Sequence, residues 1–159
     1  MNFIDQKLFS ICMCTFNGRR FIKKQLDSIF TQEEIERVGE IIICDDKSSD
    51  QTVPIIKGFI DTKVNIKIYE NEKRLGVKKN FEKCLSIACF PIIIFCDQDD
   101  IWNKGKLVEI LKSNMHLSKK PTVFIHNASI IDQKDKIIDY DFMKLRGGFS
   151  DSIFKNFYK

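Results

Sequence analysis

Residues 40–50 have the sequence Glu-Ile-Ile-Ile-Cys-Asp-Asp-Lys-Ser-Ser-Asp, a short apolar run that ends in a polar loop. Consecutive β-branched residues without polar alternation are typical of a strand covered on both faces, as in a parallel sheet. Residues 91–102, Pro-Ile-Ile-Ile-Phe-Cys-Asp-Gln-Asp-Asp-Ile-Trp, repeat this pattern of an apolar run followed by acids. The two stretches therefore predict two buried strands, each of which ends in an acidic loop.

Helical patterns separate the predicted strands; for example, Ile22, Leu26, Ile29 and Phe30 recur at the spacing of one helix face. Such alternation is typical of an open α/β sheet, in which ligands bind outside the carboxyl ends of the strands. We predict a single α/β domain over residues 1–159, with three layers (α/β/α) and a mostly parallel open sheet. The predicted strands are Leu8–Cys14, Glu40–Cys44, Val64–Tyr69, Pro91–Phe95, Thr122–Ile131 and a short hairpin strand at Lys136–Asp139, and the predicted helices include Phe21–Phe30, Asn80–Ala88 and Lys104–Ser118.

The composition excludes several classes of protein. The 159 residues carry a formal net charge of +4 and are 43% hydrophobic, which excludes a disordered tail and a polybasic arm that binds nucleic acid. The longest apolar run, Ile87–Cys96, contains Pro91 and is shorter than the roughly 18 residues of a membrane span. Because no basic segment precedes an apolar one at the N-terminus, we expect a globular domain in the cytoplasm.

Acidic residues are concentrated at one predicted edge of the sheet. Asp45 and Asp46 follow one strand, and Asp97, Asp99 and Asp100 follow another. Converging carboxylates repel one another, and a hard divalent cation such as Mg²⁺ or Mn²⁺, or a set of polar donors, relieves that repulsion. The alternative is that these acids cap helices and line solvated turns. Neither glycine-rich phosphate-binding motif is present, so a bound nucleotide would need its diphosphate neutralised by a metal ion.

Four motifs follow the ends of successive predicted strands. They are Cys14-Thr15-Phe16-Asn17-Gly18, then Asp45-Asp46-Lys47-Ser48-Ser49-Asp50, then Asn71-Glu72-Lys73-Arg74-Leu75-Gly76 with Asn80, and then Asp97-Gln98-Asp99-Asp100-Ile101-Trp102. In this order they resemble the family-2 glycosyltransferases of GT-A fold, over roughly residues 8–131. The Asp-Gln-Asp-Asp-x-Trp form is most similar to rhamnosyltransferase-like members that build bacterial surface polysaccharides.

The resemblance implies a nucleotide site on the first three motifs. Thr15, Phe16 and Asn17 match the segment that holds the nucleotide, with the Phe16 ring packed on the base. Asp46 matches the acid that accepts a hydrogen bond from the pyrimidine N–H, and Asp45 supports its loop.

The resemblance also implies a site for the diphosphate and the sugar. Gly76 and Asn80 match the loop and helix start that close over the nucleotide. Asp97 and Asp99 match the D-x-D pair, in which the first acid faces the ribose or sugar and the second ligates the metal ion, here Mn²⁺ or Mg²⁺. Neutralising the departing nucleoside diphosphate lowers the barrier to breaking the sugar–phosphate bond.

The implied reaction is inverting transfer of a sugar from a UDP- or dTDP-linked donor, such as dTDP-rhamnose, to a glycan or lipid-linked acceptor. In the family the general base lies well downstream of D-x-D, so we expect it beyond Lys159 and expect the chain to be a truncated N-terminal portion. The basic and aromatic tail, which includes Lys144, Arg146, Lys155 and Phe149, suggests either contact with the inner face of the cell membrane or packing on the missing portion.

Two alternatives remain at this stage. The first is a receiver-like phosphoacceptor domain, which also places acids around Mg²⁺ in an α/β fold. Its acid pair should follow the first strand, whereas Leu8–Cys14 precedes the pair here. The second alternative is a nucleotide-sugar binder without turnover, which differs from the transferase only in its lack of catalysis.

Overall fold

The computed structural model describes residues 6–60, 64–113 and 120–145. The chain divides into two compact units, Met1–Ser118 and Lys119–Lys159, which are treated separately below. The predicted single domain over residues 1–159 stays a prediction.

A four-stranded parallel sheet forms the centre of the first unit, with the strand order β3-β2-β1-β4. Four α-helices and a 3-10 turn at Ile35–Arg37 connect or follow the strands. The elements are β1 (Phe9–Thr15), α1 (Ile22–Phe30), β2 (Val38–Asp45), α2 (Thr52–Lys57), β3 (Ile66–Glu70), α3 (Val77–Ile87), β4 (Ile92–Asp97) and α4 (Lys106–Lys112).

Side chains alternate between the two faces of the sheet, so each face buries its own core. On one face, residues such as Ile11 and Ile43 pack with Leu26 of α1 and with α2 and α4. On the other face, Cys12 and Ile42 pack with α3. The predicted three-layer α/β/α architecture with a mostly parallel sheet is confirmed.

The strand order places a crevice at the carboxyl ends of β1 and β4. From β1 the chain adds β2 and then β3 in one direction, and it then returns to place β4 on the other side of β1. With right-handed crossovers, this reversal puts α3 on the face opposite α1 and α2 and leaves the strand ends open between them. The register pairs Cys14 with Asp97 and Thr15 with Asp45, so the acids of β2 and β4 flank the end of β1.

The second unit corrects one predicted strand. The sequence predicts a strand over Thr122–Ile131, but only Ile130–Ile131 forms one. This strand, β5, pairs antiparallel with β6 (Ile137–Asp139), and a short helix α5 (Phe142–Leu145) follows. Val123, Phe124 and Ile125 are exposed, and within the described residues of the second unit no strand pairs with them. An apolar run with high strand propensity forms a strand only where a partner edge accepts its backbone hydrogen bonds. The predicted hairpin strand at Lys136–Asp139 is confirmed.

Several predictions fall outside the described residues. The end of the predicted helix Lys104–Ser118 beyond residue 113 is one of them, and the tail from Arg146 to Lys159 is another. Among the helices that the structure does describe, none combines the length and the apolar character that crossing a bilayer requires.

Candidate functional site

The carboxyl ends of β1, β2 and β4 surround a cavity with a volume of about 120 Å³. Six residues singled out from the sequence line it, namely Thr15, Phe16, Asp46, Asn80, Asp97 and Asp99, together with Cys14, Val77 and Gln98, which were not predicted. Asn17, Asp45 and Gly76 do not line the cavity. Asn17 and Gly76 lie in the loops next to it, and Asp45 is the last residue of β2.

Asp45 ties the end of β1 to the loop that follows β2. Its carboxylate is 1% exposed and accepts hydrogen bonds from Thr15 Oγ1 (2.7 Å), Ser48 N–H (2.7 Å) and Ser48 Oγ (2.6 Å). The first of these bonds engages the hydroxyl proton of Thr15. Asp45 therefore shapes the cavity wall from behind.

Asn17 has a similar role on the loop after β1. Its backbone has a φ of 48°, a left-handed conformation that Asn tolerates better than most residues. Its N–H donates to Ser48 Oγ (2.8 Å) and its Oδ1 accepts from Ser49 N–H (2.9 Å), while Gly18 N–H donates to Thr52 Oγ1 (2.7 Å). These bonds hold the loop after β1 against the loop after β2.

Asp46 holds the segment that precedes α3. Its Oδ1 accepts hydrogen bonds from Leu75 N–H (2.6 Å) and Asn71 Nδ2 (3.1 Å), and its Oδ2 accepts one from Gly76 N–H (2.9 Å). Burial alone would raise the pKa of the Asp46 carboxyl, but the bonds from Leu75, Asn71 and Gly76 and the charge of Arg74 outweigh it and hold that pKa below its ordinary value. Asp46 is therefore ionised at neutral pH and places a negative charge at the cavity wall.

Gly76 adopts a backbone conformation that residues with a side chain rarely adopt. Its φ of 81° and ψ of 161° lie in a region that is essentially restricted to glycine. This conformation turns the Gly76 N–H towards Asp46 and begins α3, whose Asn80 N–H bonds to Gly76 O (3.0 Å).

Asn80 joins α3 to the sheet from inside. It is 1% exposed; its Nδ2 donates to Cys44 O (2.7 Å), and its Oδ1 accepts from Asn71 Nδ2 (2.8 Å). Lys83 Nζ in turn donates to Asn71 Oδ1 (2.7 Å). The position of α3 relative to β2 is thus set by a polar chain of three residues.

Arg74 covers the ring that was predicted to receive the base. Its guanidinium carbon lies 3.7 Å from the centroid of the Phe16 ring, a close cation–π contact, and its Nε lies 3.9 Å from Asp46 Oδ2. Arg74 lies in the motif Asn71–Gly76, and the sequence predicts no role for it. Its residue type is a sequence feature that favours a role here, because the planar, cationic guanidinium of arginine stacks on aromatic rings and on bases.

Gln98 pairs with the backbone of Phe16. Phe16 N–H donates to Gln98 Oε1 (2.9 Å), and Gln98 Nε2 donates to Phe16 O (3.1 Å). The sequence predicts no role for Gln98, because it occupies the variable position of the D-x-D motif between Asp97 and Asp99.

Asp97 and Asp99 both line the cavity and present carboxylates, the oxygen ligands that hard divalent cations prefer. Loss of hydration around the Asp97 carboxyl, together with the charge of Asp99, raises the pKa of Asp97. Across residues 6–60, 64–113 and 120–145, neither carboxylate has a salt bridge, and no cluster of three or more His, Cys, Asp or Glu side chains could hold a metal ion. Two carboxylates with room for phosphate and water oxygens are the donors that Mg²⁺ and Mn²⁺ commonly use beside a nucleotide.

Sequence comparison agrees with this geometry, since residues 10–138 match the profile of glycosyl transferase family 2. The chain belongs to glycosyl transferase family 2. This membership replaces the receiver-like alternative, in which the first strand would carry the acid pair.

Two bacterial relatives in this family are similar over much of the chain. The UDP-Glc:α-D-GlcNAc-diphosphoundecaprenol β-1,3-glucosyltransferase WfgD of Escherichia coli is 32% identical over 80% of this chain and 51% of its own length. The dTDP-rhamnosyl transferase RfbG of Shigella flexneri is 37% identical over 60% of this chain and 34% of its own. The chain thus spans about half the length of WfgD and about a third of RfbG.

A solved structure shares the fold, and the predicted GT-A type is confirmed. The Staphylococcus aureus protein TarS (residues 1–349), crystallised in complex with UDP, superposes with a TM-score of 0.63 and 29% identity over 67% of this chain and 32% of TarS.

Proposed function

We propose that the chain is the donor-binding portion of an inverting, metal-dependent glycosyltransferase that uses a pyrimidine nucleotide-sugar. The observation that carries this proposal is the cavity at the topological switch point, which is lined by the Phe16 ring, the Asp46 carboxylate and the acids of the D-x-D pair. Family membership supports the reaction class.

The nucleoside end of the donor would bind between Phe16, Arg74 and Asp46. A base that enters the cavity would stack on Phe16, and the Arg74 guanidinium that now covers this ring would either move aside or stack on the outer face of the base. The lowered pKa of Asp46 keeps it an acceptor, which suits a pyrimidine ring that presents an N–H. Because Leu75 and Gly76 already donate to Asp46, binding of the base would be coupled to the position of that segment.

The diphosphate end would lie against Asp97 and Asp99, with Asp97 also facing the ribose or sugar and Asp99 the main ligand of Mn²⁺ or Mg²⁺. When bound, the cation neutralises the departing nucleoside diphosphate. The two carboxylates would hold it at the cavity edge. Its charge would favour the ionised form of Asp97, whose pKa is raised by loss of hydration and by the charge of Asp99.

The donor is proposed to be UDP- or dTDP-linked, with dTDP-rhamnose the most specific candidate, and the acceptor a glycan or a lipid-linked saccharide. RfbG, a dTDP-rhamnosyl transferase, and WfgD, which acts with UDP-Glc on a diphosphoundecaprenol-linked sugar, support these choices. UDP in the TarS complex supports a pyrimidine nucleotide. A lipid-linked acceptor would bring the protein to the inner face of the membrane.

Isothermal titration of the chain with UDP, dTDP and GDP, in Mn²⁺ and in excess EDTA, tests the proposal. We expect the two pyrimidine nucleotides to bind in Mn²⁺ and to bind at least about tenfold more weakly after chelation or in Asp99→Asn, since a divalent cation would no longer bridge carboxylate and phosphate. The matched control is Asp27→Asn, an acid on the surface of α1. Equal affinity with and without metal, or no binding of either pyrimidine nucleotide, would refute the proposal.

A further inference from the structure

Gln98 lies between the two acids of the D-x-D pair and is hydrogen-bonded to Phe16, the residue proposed to stack on the base. Its carboxamide is bonded to both backbone polar groups of Phe16, while its own chain neighbours are Asp97 and Asp99. We propose that Gln98 is a positioning residue that sets the Phe16 ring for base stacking, so that one three-residue segment serves both ends of the nucleotide. The inference rests on the proposed function and adds a residue to its binding machinery.

The backbone pairing between β1 and β4 ends before Phe16, so Phe16 needs another hydrogen-bond partner on that side. The last paired residues are Cys14 and Asp97, so the backbone of Phe16 lies beyond the reach of β4. A carboxamide carries one acceptor and an N–H donor, the same pair of groups that a peptide unit offers. The Gln98 side chain bonds to both Phe16 N–H and Phe16 O. It thereby supplies the two hydrogen bonds that a backbone residue of β4 would form if the strand continued beside Phe16.

The loop after β1 is held from its other side by different residues. Asn17 N–H bonds to Ser48 Oγ and Gly18 N–H bonds to Thr52 Oγ1, both from the β2 side of the sheet. Phe16 therefore lies between anchors on two strands, and Gln98 is the anchor that β4 provides. Loss of that anchor frees Phe16 while the bonds of Asn17 and Gly18 remain.

The close contact between Gln98 and Gly18 is a second observation that supports a positioning role for Gln98. A Cβ added at Gly18 would collide with the Gln98 carboxamide oxygen, and Gly18 itself is buried. Position 18 must stay small for the carboxamide to reach Phe16. Gly18→Ala is therefore an independent way to displace Gln98 without changing the D-x-D segment.

The test compares Gln98→Met, which keeps an unbranched side chain but has no amide, with Gly18→Ala and with Gln133→Met, an exposed control. UDP affinity is measured by titration in Mn²⁺, Mn²⁺ affinity by electron paramagnetic resonance without nucleotide, and exchange of the Phe16 amide proton by NMR. We expect Gln98→Met and Gly18→Ala to bind UDP about tenfold more weakly, because binding would then include the free-energy cost of ordering Phe16. Mn²⁺ affinity should stay unchanged, and the Phe16 amide should exchange faster, while Gln133→Met matches the unmodified chain.

The outcomes separate this inference from the proposed function. If the unmodified chain binds UDP and Gln98→Met binds it equally well, the positioning role is wrong and the donor site stands. A parallel loss of Mn²⁺ affinity would show that Gln98 instead supports the metal ligands, and it too would overturn the inference. If the unmodified chain binds no pyrimidine nucleotide, both proposals fail. Should Gln98→Met not fold, the same measurements on Gly18→Ala decide the question.

Discussion

Replacing Asp46 with asparagine should destabilise the first unit, because the carboxylate accepts three hydrogen bonds that an amide cannot all accept. In the better orientation, the new carboxamide keeps its oxygen towards Leu75 N–H and Asn71 but turns its own NH₂ against Gly76 N–H. One bond to a charged acceptor, about 1.5–3 kcal/mol, is then lost, and the other two become weaker neutral bonds. We expect the free energy of unfolding to fall by about 2–4 kcal/mol at neutral pH.

Urea denaturation followed by fluorescence measures this loss, since Trp102 is the only tryptophan of the chain and is buried in the first unit. Asp27→Asn is the matched control. Its ion pair with Lys23 is exposed, so its removal should cost no more than about 0.5 kcal/mol. Equal stability of Asp46→Asn and the unmodified protein would refute the role given to Asp46.

The pH dependence gives a second, independent check on Asp46. The folded-state pKa of this carboxyl is held below its unfolded-state value, so the stability it contributes is present above the unfolded value and is lost as pH falls through the folded one. The stability difference between the unmodified protein and Asp46→Asn should therefore be constant from neutral pH down to about pH 4, the ordinary Asp value, and shrink below it. A difference that stays constant well below that pH would contradict the lowered pKa.

Two further variants test the backbone and the charges of the site. Gly76→Ala should lower the free energy of unfolding, measured by urea denaturation, by about 1–3 kcal/mol because the backbone conformation of Gly76 is restricted to glycine. Gly105→Ala is the control and should be neutral, since a Cβ added there meets open space. A neutral Gly76→Ala would argue against a strained start of α3. Without metal or nucleotide, Asp99→Asn should raise Tm slightly at neutral pH. Loss of hydration and, secondly, the charge of Asp99 raise the pKa of Asp97, and the variant removes the second cause. A lowered Tm in calorimetry would show that Asp99 stabilises the fold instead.

The parallel core was predictable because its signals are local. Ile41, Ile42 and Ile43 in succession predict a strand buried on both faces, and both of those faces are covered in the structure. Parallel strands joined by helices must end at one edge, so the placement of Asp46 and Asp97 around one cavity followed from the order of the elements. The strand predicted at Thr122–Ile131 had an equally strong local pattern, and it was wrong because a strand also requires a neighbouring edge, which the pattern does not encode.

The sequence alone determined the fold class, the strand ends that carry the acids and the family motifs, because periodicity and spacing are properties of neighbouring residues. Only the tertiary structure decided which groups those residues contact. Asp46 holds a segment 29–30 residues away, and Gln98 holds Phe16 across 82 residues. A carboxylate or a carboxamide forms bonds with whatever donors and acceptors the folded backbone brings within about 3 Å, and nothing in its local sequence specifies them.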